Sequence, residues 1–251
     1  MDLGIRNRVA LVTGGGSGIG AAVARSMAAE GARVVVGDLS VEAAERTAAE
    51  IRASGGAARG ARVDVTSADS AEAWVLEALK NEGAVGILVN SAGVWLPAPF
   101  AEQTAERAAK ELAVCLHGVM NCARAAMKPM VAAKWGRIVS VASDAGRVGE
   151  RNMATYSAAK GGVIAFSKAL AKEVGSAWVT VNVVCPGTTR TPMTQNFVGD
   201  PEQDKKMLRA YALRRFGEPS DIANAIVFLS SERASWITGQ TLSVNGGYSM
   251  V

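Results

Sequence analysis

The stretch from Thr13 to Gly20, TGGGSGIG, leaves this chain fewer folding choices than any other. It follows a short apolar, β-prone run, Val9–Thr13. An amphipathic helical pattern from Ala21 to Glu30 comes next, then Gly31 as a helix stop and a second apolar run from Arg33 to Gly37. Strand, glycine turn, helix and strand in this order predict a βαβ unit. In such a unit the glycines allow a tight turn, backbone approach to a pyrophosphate and close helix–sheet packing. The helix N-terminus adds unpaired N–H groups and a partial positive charge. Asp38 closes the second strand 18 residues past Gly20, where a carboxylate can accept hydrogen bonds from an adenosine ribose. The reading is a dinucleotide site formed by Gly14, Ser17, Gly18, Ile19 and Gly20, with Asp38 and its neighbour Leu39 at the ribose. The Asp38 carboxylate would face a 2′-phosphate as like charge, so the expected cofactor is NAD rather than NADP.

The alternation of strand and helix patterns continues without a linker or repeat. Helices are predicted over Val41–Ala53, Ala68–Asn81, Thr104 to about Met127 (closed near Pro129), Ala154–Gly175 and Ser220–Ser230. Strands are predicted over Ala57–Val63, Gly86–Asn90, Arg137–Ala142, Trp178–Val184 and Gln240–Val244. Several strands are unbroken apolar runs, as in a parallel sheet covered on both faces. The expected fold class is α/β, a single-domain, Rossmann-type, doubly wound parallel sheet over residues 1–251 with helices on both faces. Residues 188–218 are polar, Met-containing and without a clean period. They follow the carboxyl end of a strand, where open α/β sheets bind ligands, and read as a substrate lid.

Composition narrows the partners. Hydrophobic residues make up 49% of the chain, enough for a substantial core, and the net charge of +4 is spread among interspersed signs. No basic run with interleaved aromatics points to nucleic acid. Cys115, Cys122 and Cys185 have no metal or CxxC spacing, so no metal is expected and a reducing, cytoplasmic setting fits. The N-terminus has no apolar signal-like core. The longest uncharged run, between Glu82 and Glu102, is broken by Asn90, Gly93, Pro97 and Pro99, which argues against a membrane span.

Chemistry enters with Tyr156 and Lys160. Four residues apart in a helical pattern, they share one face. A phenol titrates near 10, too high for acid–base work at neutrality, and a neighbouring cation favours the phenolate. Ser143, at the end of the apolar strand that precedes them, can add a hydroxyl to the same site.

Taken together, TGGGSGIG, Asp64-Val65, Asn90 to Gly93 (NSAG), Ser143, Tyr156 to Lys160 (YSAAK), Pro186-Gly187 with Thr191, and the terminal VNGG resemble the short-chain dehydrogenase/reductase family from Arg8 to Gly247. The resemblance implies that Tyr156 exchanges a proton with the substrate oxygen, that Ser143 hydrogen-bonds that oxygen, and that Lys160 holds the nicotinamide ribose while lowering the tyrosine's pKa. It implies Asn90, Ala92 and Gly93 on the adenosine side and Asp64 and Val65 at the adenine. Pro186, Gly187, Thr189 and Thr191 would lie by the nicotinamide. It also implies a homotetramer, and the apolar Ala-rich central and Tyr-bearing helices suit covered surfaces. One departure stands out. Many members carry an Asn on the long central helix where this chain has Cys115, and a thiol is a weak donor and acceptor. Asn121 is no substitute, since six residues at about 100° each carry it roughly 240° round the helix. Cys115 is expected to be passive, and His117 to lie at a surface or interface.

Residues 142–149 and 180–187 look closest to the branch of that family acting on 2-hydroxycyclohexanecarboxyl and 3-oxoacyl thioesters. Trp95, Leu96, Val148, Met153, Met193 and Phe197 should reach the cleft and suit an apolar substrate body. Arg190, Lys205, Lys206, Arg209, Arg214 and Arg215 on the lid could meet CoA phosphates. The leading expectation is therefore an NAD-dependent dehydrogenase of a cyclic or β-hydroxyacyl-CoA type substrate. The alternatives are a dehydrogenase of a free cyclic or aromatic secondary alcohol, and a non-catalytic NAD-binding subunit.

Overall fold

Strands that are apolar at every position need cover on both faces, and the chain supplies it. The computed structural model describes residues 2–251. Its strands are β1 (Val9–Thr13), β2 (Arg33–Asp38), β3 (Ala57–Arg62), β4 (Ile87–Asn90), β5 (Gly136–Val141), β6 (Val179–Pro186) and β7 (Thr241–Val244). They form one seven-stranded sheet in the order β3-β2-β1-β4-β5-β6-β7, with every pairing parallel. The helices are α1 (Gly18–Ala29), α2 (Val41–Ala53), α3 (Ala68–Glu82), α4 (Ala105–Leu112), α5 (Gly118–Ala132), α6 (Ala145–Val148), α7 (Ala154–Val174), α8 (Pro201–Leu208) and α9 (Pro219–Leu229). The expected doubly wound α/β class is the one observed.

Alternation along β1 shows how one strand feeds two cores. Ala10 and Val12 join Val23, Met27, Ile222 and Ile226 of α1 and α9 on one face. Val9 and Leu11 join Trp74, Ala126, Met130 and Leu170 of α3, α5 and α7 on the other. Each fully buried Val, Leu, Ile or Met among them stabilises the fold by about 1.5–3 kcal/mol. Trp74 packs directly on β2, and only a glycine fits beneath it: a Cβ on Gly37 would lie 2.5 Å from the indole. Ser40 and Ser67 cap α2 and α3 by accepting from Ala43 N and Ser70 N, each cap being worth about 1 kcal/mol.

Strand order reverses between β1 and β4, so the loops after them splay apart and leave a crevice at the carboxyl edge of the sheet. Register aligns Thr13 with both Gly37 and Asn90. The Thr13 hydroxyl then accepts from Ser91 N at 3.1 Å and Ala92 N at 3.2 Å, tying the two loops together.

Three local expectations change. The long central helix is two helices, α4 and α5, joined by a π-helical turn over Ala113–His117 that contains Cys115. It does not close near Pro129 either. Pro129 lies inside α5, whose last turn is held by fully buried Met130. The lid is not wholly irregular, because α8 occupies its middle. Asp200 caps α8 by accepting from Gln203 N at 2.8 Å, and Pro201 takes the first helical position. That Asp-Pro start was a readable helix signal.

Candidate active site

Tyr156 lies on the first turn of α7 and Lys160 one turn later. Lys160 is only 3% exposed, and a buried ammonium must find acceptors. Its Nζ donates to the Val141 carbonyl at 2.8 Å, at the end of β5, and sits 5.6 Å from the centre of the Tyr156 ring. Ser143 follows that strand end, and its Oγ accepts from Ala145 N at 3.2 Å. Burial is the largest influence on the Tyr156 phenol and pushes it above its ordinary value. Lys160 pulls it back, Cys115 pushes it up, the Ser143 hydroxyl favours the phenolate, and Glu111 adds a smaller upward push. Lys160 thus acts in the expected direction, but the net shift is upward. Dehydration of the phenolate outweighs the cation in this site.

Ser143, Tyr156 and Lys160 border a cavity of 1420 Å³ that runs along the sheet edge. That exceeds the roughly 300–1,000 Å³ of a single-ligand pocket, so two ligands fit side by side. Gly14, Ser17, Gly18, Ile19, Gly20, Asp38, Leu39, Asp64, Val65, Ala92, Gly93, Pro186, Gly187, Thr189 and Thr191 all line it. Asn90 is the exception among the residues expected there. It is 2% exposed, absent from the cavity wall, and its Nδ2 donates to Ser140 Oγ at 3.2 Å inside the sheet.

The nucleotide end has the chemistry that a dinucleotide requires. Gly20 cannot carry a side chain, since a Cβ there would lie 2.2 Å from the Gly14 carbonyl. Ser17, at the N-cap of α1, makes no side-chain cap bond, which leaves the first-turn N–H groups without a side-chain partner and suits a diphosphate. Asp38 is oriented from both sides: Oδ2 accepts from Gly16 N at 3.0 Å and Oδ1 from Ser40 N at 3.1 Å. Hydrogen bonds from Thr66 hold the Asp64 carboxyl below the usual range. Asn121 is not idle. Its Nδ2 donates to the Val65 carbonyl at 3.0 Å and so braces the loop after β3 from α5.

At the other end the wall is aromatic and Met-rich. The Trp95 edge meets Phe197 at 5.2 Å between ring centres, with Met153, Met193 and Met207 nearby on the cavity. Tyr211 and Tyr248 stack at 5.0 Å, and Tyr248 Oη donates to Glu150 Oε1 at 2.5 Å. Of the six apolar residues expected at the cleft, Trp95, Met153, Met193 and Phe197 line it, while Leu96 and Val148 do not. Of the six lid cations only Lys206 does. Arg190 pairs with Glu218 at 3.6 Å, Arg215 with Asp221 at 2.6 Å, and Arg214 donates to the Leu208 and Arg209 carbonyls. Glu150, Tyr211 and Tyr248 were missed. They are single polar residues in irregular segments, with no motif around them. His117 is exposed, as expected. Cys115 is not passive: fully buried, its thiol donates to the Val94 carbonyl at 3.2 Å and accepts from Val94 N at 3.4 Å.

The sequence and the fold both match known proteins. A family model described as enoyl-(acyl carrier protein) reductase matches residues 14–249. The chain is 40% identical over 245 residues to a 3-oxoacyl-(acyl-carrier-protein) reductase of Synechocystis sp., covering 97% of each chain. It is 39% identical over 246 residues to a 2,5-dichloro-2,5-cyclohexadiene-1,4-diol dehydrogenase of Sphingobium indicum, covering 98% of each. A crystal structure described as that of a short-chain alcohol dehydrogenase from Sinorhizobium meliloti 1021 superimposes with a TM-score of 0.94 at 34% identity, over 99% of this chain and 98% of that one.

Proposed function

The chain belongs to the short-chain dehydrogenase/reductase family of oxidoreductases, and we propose that it transfers hydride between NAD(H) and a secondary alcohol or ketone. The observation that carries this reading is the meeting of Ser143, Tyr156 and buried Lys160 on one cavity with the glycine loop. The nicotinamide, when bound, accepts the hydride in oxidation and gives it in reduction. The protein's part is positional and protonic. Tyr156 Oη takes the alcohol proton in oxidation, or returns one in reduction. Ser143 Oγ holds the same substrate oxygen. Lys160 holds the nicotinamide ribose and limits the cost of the phenolate. Gly14, Ser17, Gly18, Ile19 and Gly20 would cradle the diphosphate. Asp38 and Leu39 would meet the adenosine ribose, Asp64 and Val65 the adenine, Ala92 and Gly93 the adenosine side, and Pro186, Gly187, Thr189 and Thr191 the nicotinamide. Asp38 supports NAD over NADP because its carboxylate repels a 2′-phosphate.

For the substrate, the Trp95, Phe197 and Met wall supports an apolar body of the cyclic or β-hydroxyacyl-CoA type, entered beneath the lid at 188–218 of a single catalytic domain. A free cyclic or aromatic secondary alcohol is the second reading. It is favoured by Arg190, Arg214 and Arg215 being committed to protein partners in the lid or on α9, which leaves Lys206 alone of those six cations on the cavity. NADH absorbance with a panel of hydroxyacyl-CoAs and the matching free alcohols separates the two. No NADH formed from either set would favour a non-catalytic nucleotide-binding subunit. None of the helices among the described residues is long and apolar enough to cross a membrane. The three buried free cysteines support a reducing cytoplasm, and the partly exposed Met120 and Met127 of α5 and Ile164 and Phe166 of α7 support a homotetramer, which light scattering tests.

A further inference from the structure

Glu111 is a core acid that has no cation paired with it. It is 1% exposed and takes part in no ion pair among the described residues. An isolated buried carboxylate is costly unless donors surround it. Two do. Glu111 Oε1 accepts from Leu96 N at 2.8 Å, and Oε2 accepts from Gln103 Nε2 at 2.9 Å. Gln103 continues the chain by accepting, through Oε1, from the Thr155 hydroxyl at 2.5 Å. Thr155 is itself buried and directly precedes Tyr156 in the first turn of α7.

The other arm leads to the substrate wall. Glu111 and Cys115 are one helical turn apart, on one side of the helix. Cys115 holds Val94 by both its N–H and its carbonyl, and Glu111 holds Leu96. Gripping alternate residues of the loop leaves Trp95 between them free to line the cavity, where its ring meets Phe197 of the lid. Backbone groups in this loop find no ladder partners, so the helix side chains do the holding.

We infer that Glu111 is a positioning residue that fixes Trp95 on the substrate wall relative to Tyr156, through Leu96 on one side and through Gln103 and Thr155 on the other. The link to turnover rests on the hydride-transfer reading; the clamp on the loop does not.

The test compares Glu111→Leu with Glu111→Gln. The Gln variant can re-close the network. Its oxygen accepts from Leu96 N, its amide donates to a turned Gln103, and Gln103 then donates to Thr155. In Glu111→Leu, exchange at the Leu96 amide should speed by at least about tenfold, the scale of one lost hydrogen bond to a charged acceptor, while sheet amides stay protected. With the alcohol of the panel that gives most NADH, KM should rise by about tenfold on the same scale with kcat changed less, NADH affinity should hold, and Glu111→Gln should restore both readouts. Unchanged Leu96 exchange in Glu111→Leu overturns the clamp, and so does Glu111→Gln behaving like Glu111→Leu. A purely structural role predicts lower stability with KM untouched. If Glu111→Leu does not fold, Gln103→Leu cuts the network one bond away and keeps the bond to Leu96. It should lower kcat more than it raises KM, and an unchanged kcat overturns the Thr155 arm. The exchange readout needs no turnover, so failure of the clamp is distinguishable from failure of the hydride-transfer reading.

Discussion

At the nucleotide end of the cavity the walls are largely main chain. The glycine turn packs too closely for side chains, the first turn of α1 offers bare N–H groups, and Asp38 is pinned by Gly16 N and Ser40 N. At the substrate end the walls are side chains brought from remote segments. Trp95 meets Phe197 of the lid, Tyr211 stacks on Tyr248, and Tyr248 bonds to Glu150, 98 residues away. Backbone-built surfaces depend on a short local pattern and tolerate little change. Side-chain-built surfaces depend on long-range packing and can be rewritten without refolding the sheet. On the hydride-transfer reading proposed above, the first is the cofactor end and the second the substrate end, with Tyr156 and Lys160 at the seam between them.

The seam should be the most sensitive point. Lys160→Met keeps length and removes charge, deleting the strongest influence that lowers the Tyr156 phenol. We expect kcat to fall by at least about 10²-fold, the usual scale of acid–base catalysis. The alkaline-rising limb of the oxidation profile should move to higher pH, because a phenol with a higher pKa yields less phenolate at any given pH. A profile unmoved by the substitution would break the link between the two residues.

At the nucleotide end, Asp38→Ser with Leu39→Arg tests whether two neighbouring side chains can redirect a backbone-built site. Like charges 4 Å apart repel by roughly 4 kcal/mol at an effective dielectric near 20. Screening leaves about 1–3 kcal/mol, or roughly ten- to a hundredfold in the NAD:NADP ratio of kcat/KM. The variant should erase or reverse that ratio. Both cofactors should also lose some kcat/KM, since Gly16 N loses its acceptor. Equal use of the two cofactors by the wild type would show that Asp38 does not face the ribose.

Legibility follows the same division. The glycine turn, Asp38, and the Tyr156–Lys160 spacing are patterns a few residues long, and the motif residues fall on the cavity as a group. The motif around Asn90 suggests the cavity wall, whereas the Asn90 side chain donates to Ser140 Oγ inside the sheet, a long-range contact with no local signal. The lid arginines suggest a ligand from sequence alone because a sequence gives charges without their partners. Arg190 and Arg215 are held by Glu218 and Asp221. Tyr248–Glu150 and Glu111–Gln103–Thr155 had no local signal at all.

Smaller effects probe the substrate end. Arg215 binds Asp221 through both guanidinium nitrogens, and Asp221 also accepts from Glu218 N at 2.7 Å, which anchors the base of the lid to α9. The Arg215 hydrogen bonds are the main cause that lowers the Asp221 carboxyl to about 2. Its contribution to stability is therefore complete above the unfolded value, near 3.9, and is lost as pH falls through about 2. Asp221→Asn should cost about 0.5–2 kcal/mol at neutral pH, the range of a helix cap, with the solvated ion pair adding little. Urea denaturation of both proteins should converge as pH approaches 2. A gap that widens on acidification contradicts this. Smallest of all, Cys115→Ser keeps a donor and an acceptor for Val94, so activity should stay within a few-fold. Complete inactivation of folded Cys115→Ser would give the thiol a role beyond holding the loop.

One phenol at the seam carries the proton, on the reading proposed above, while the rest of the cavity holds the ligands. Tyr156→Phe keeps the ring and removes only the hydroxyl, so NADH binding and turnover should be measured side by side in the wild type and this variant. NADH fluorescence titration should give the same affinity within about twofold, while kcat falls by at least about 10²-fold. Near-normal turnover, or loss of NADH binding together with activity, would contradict it.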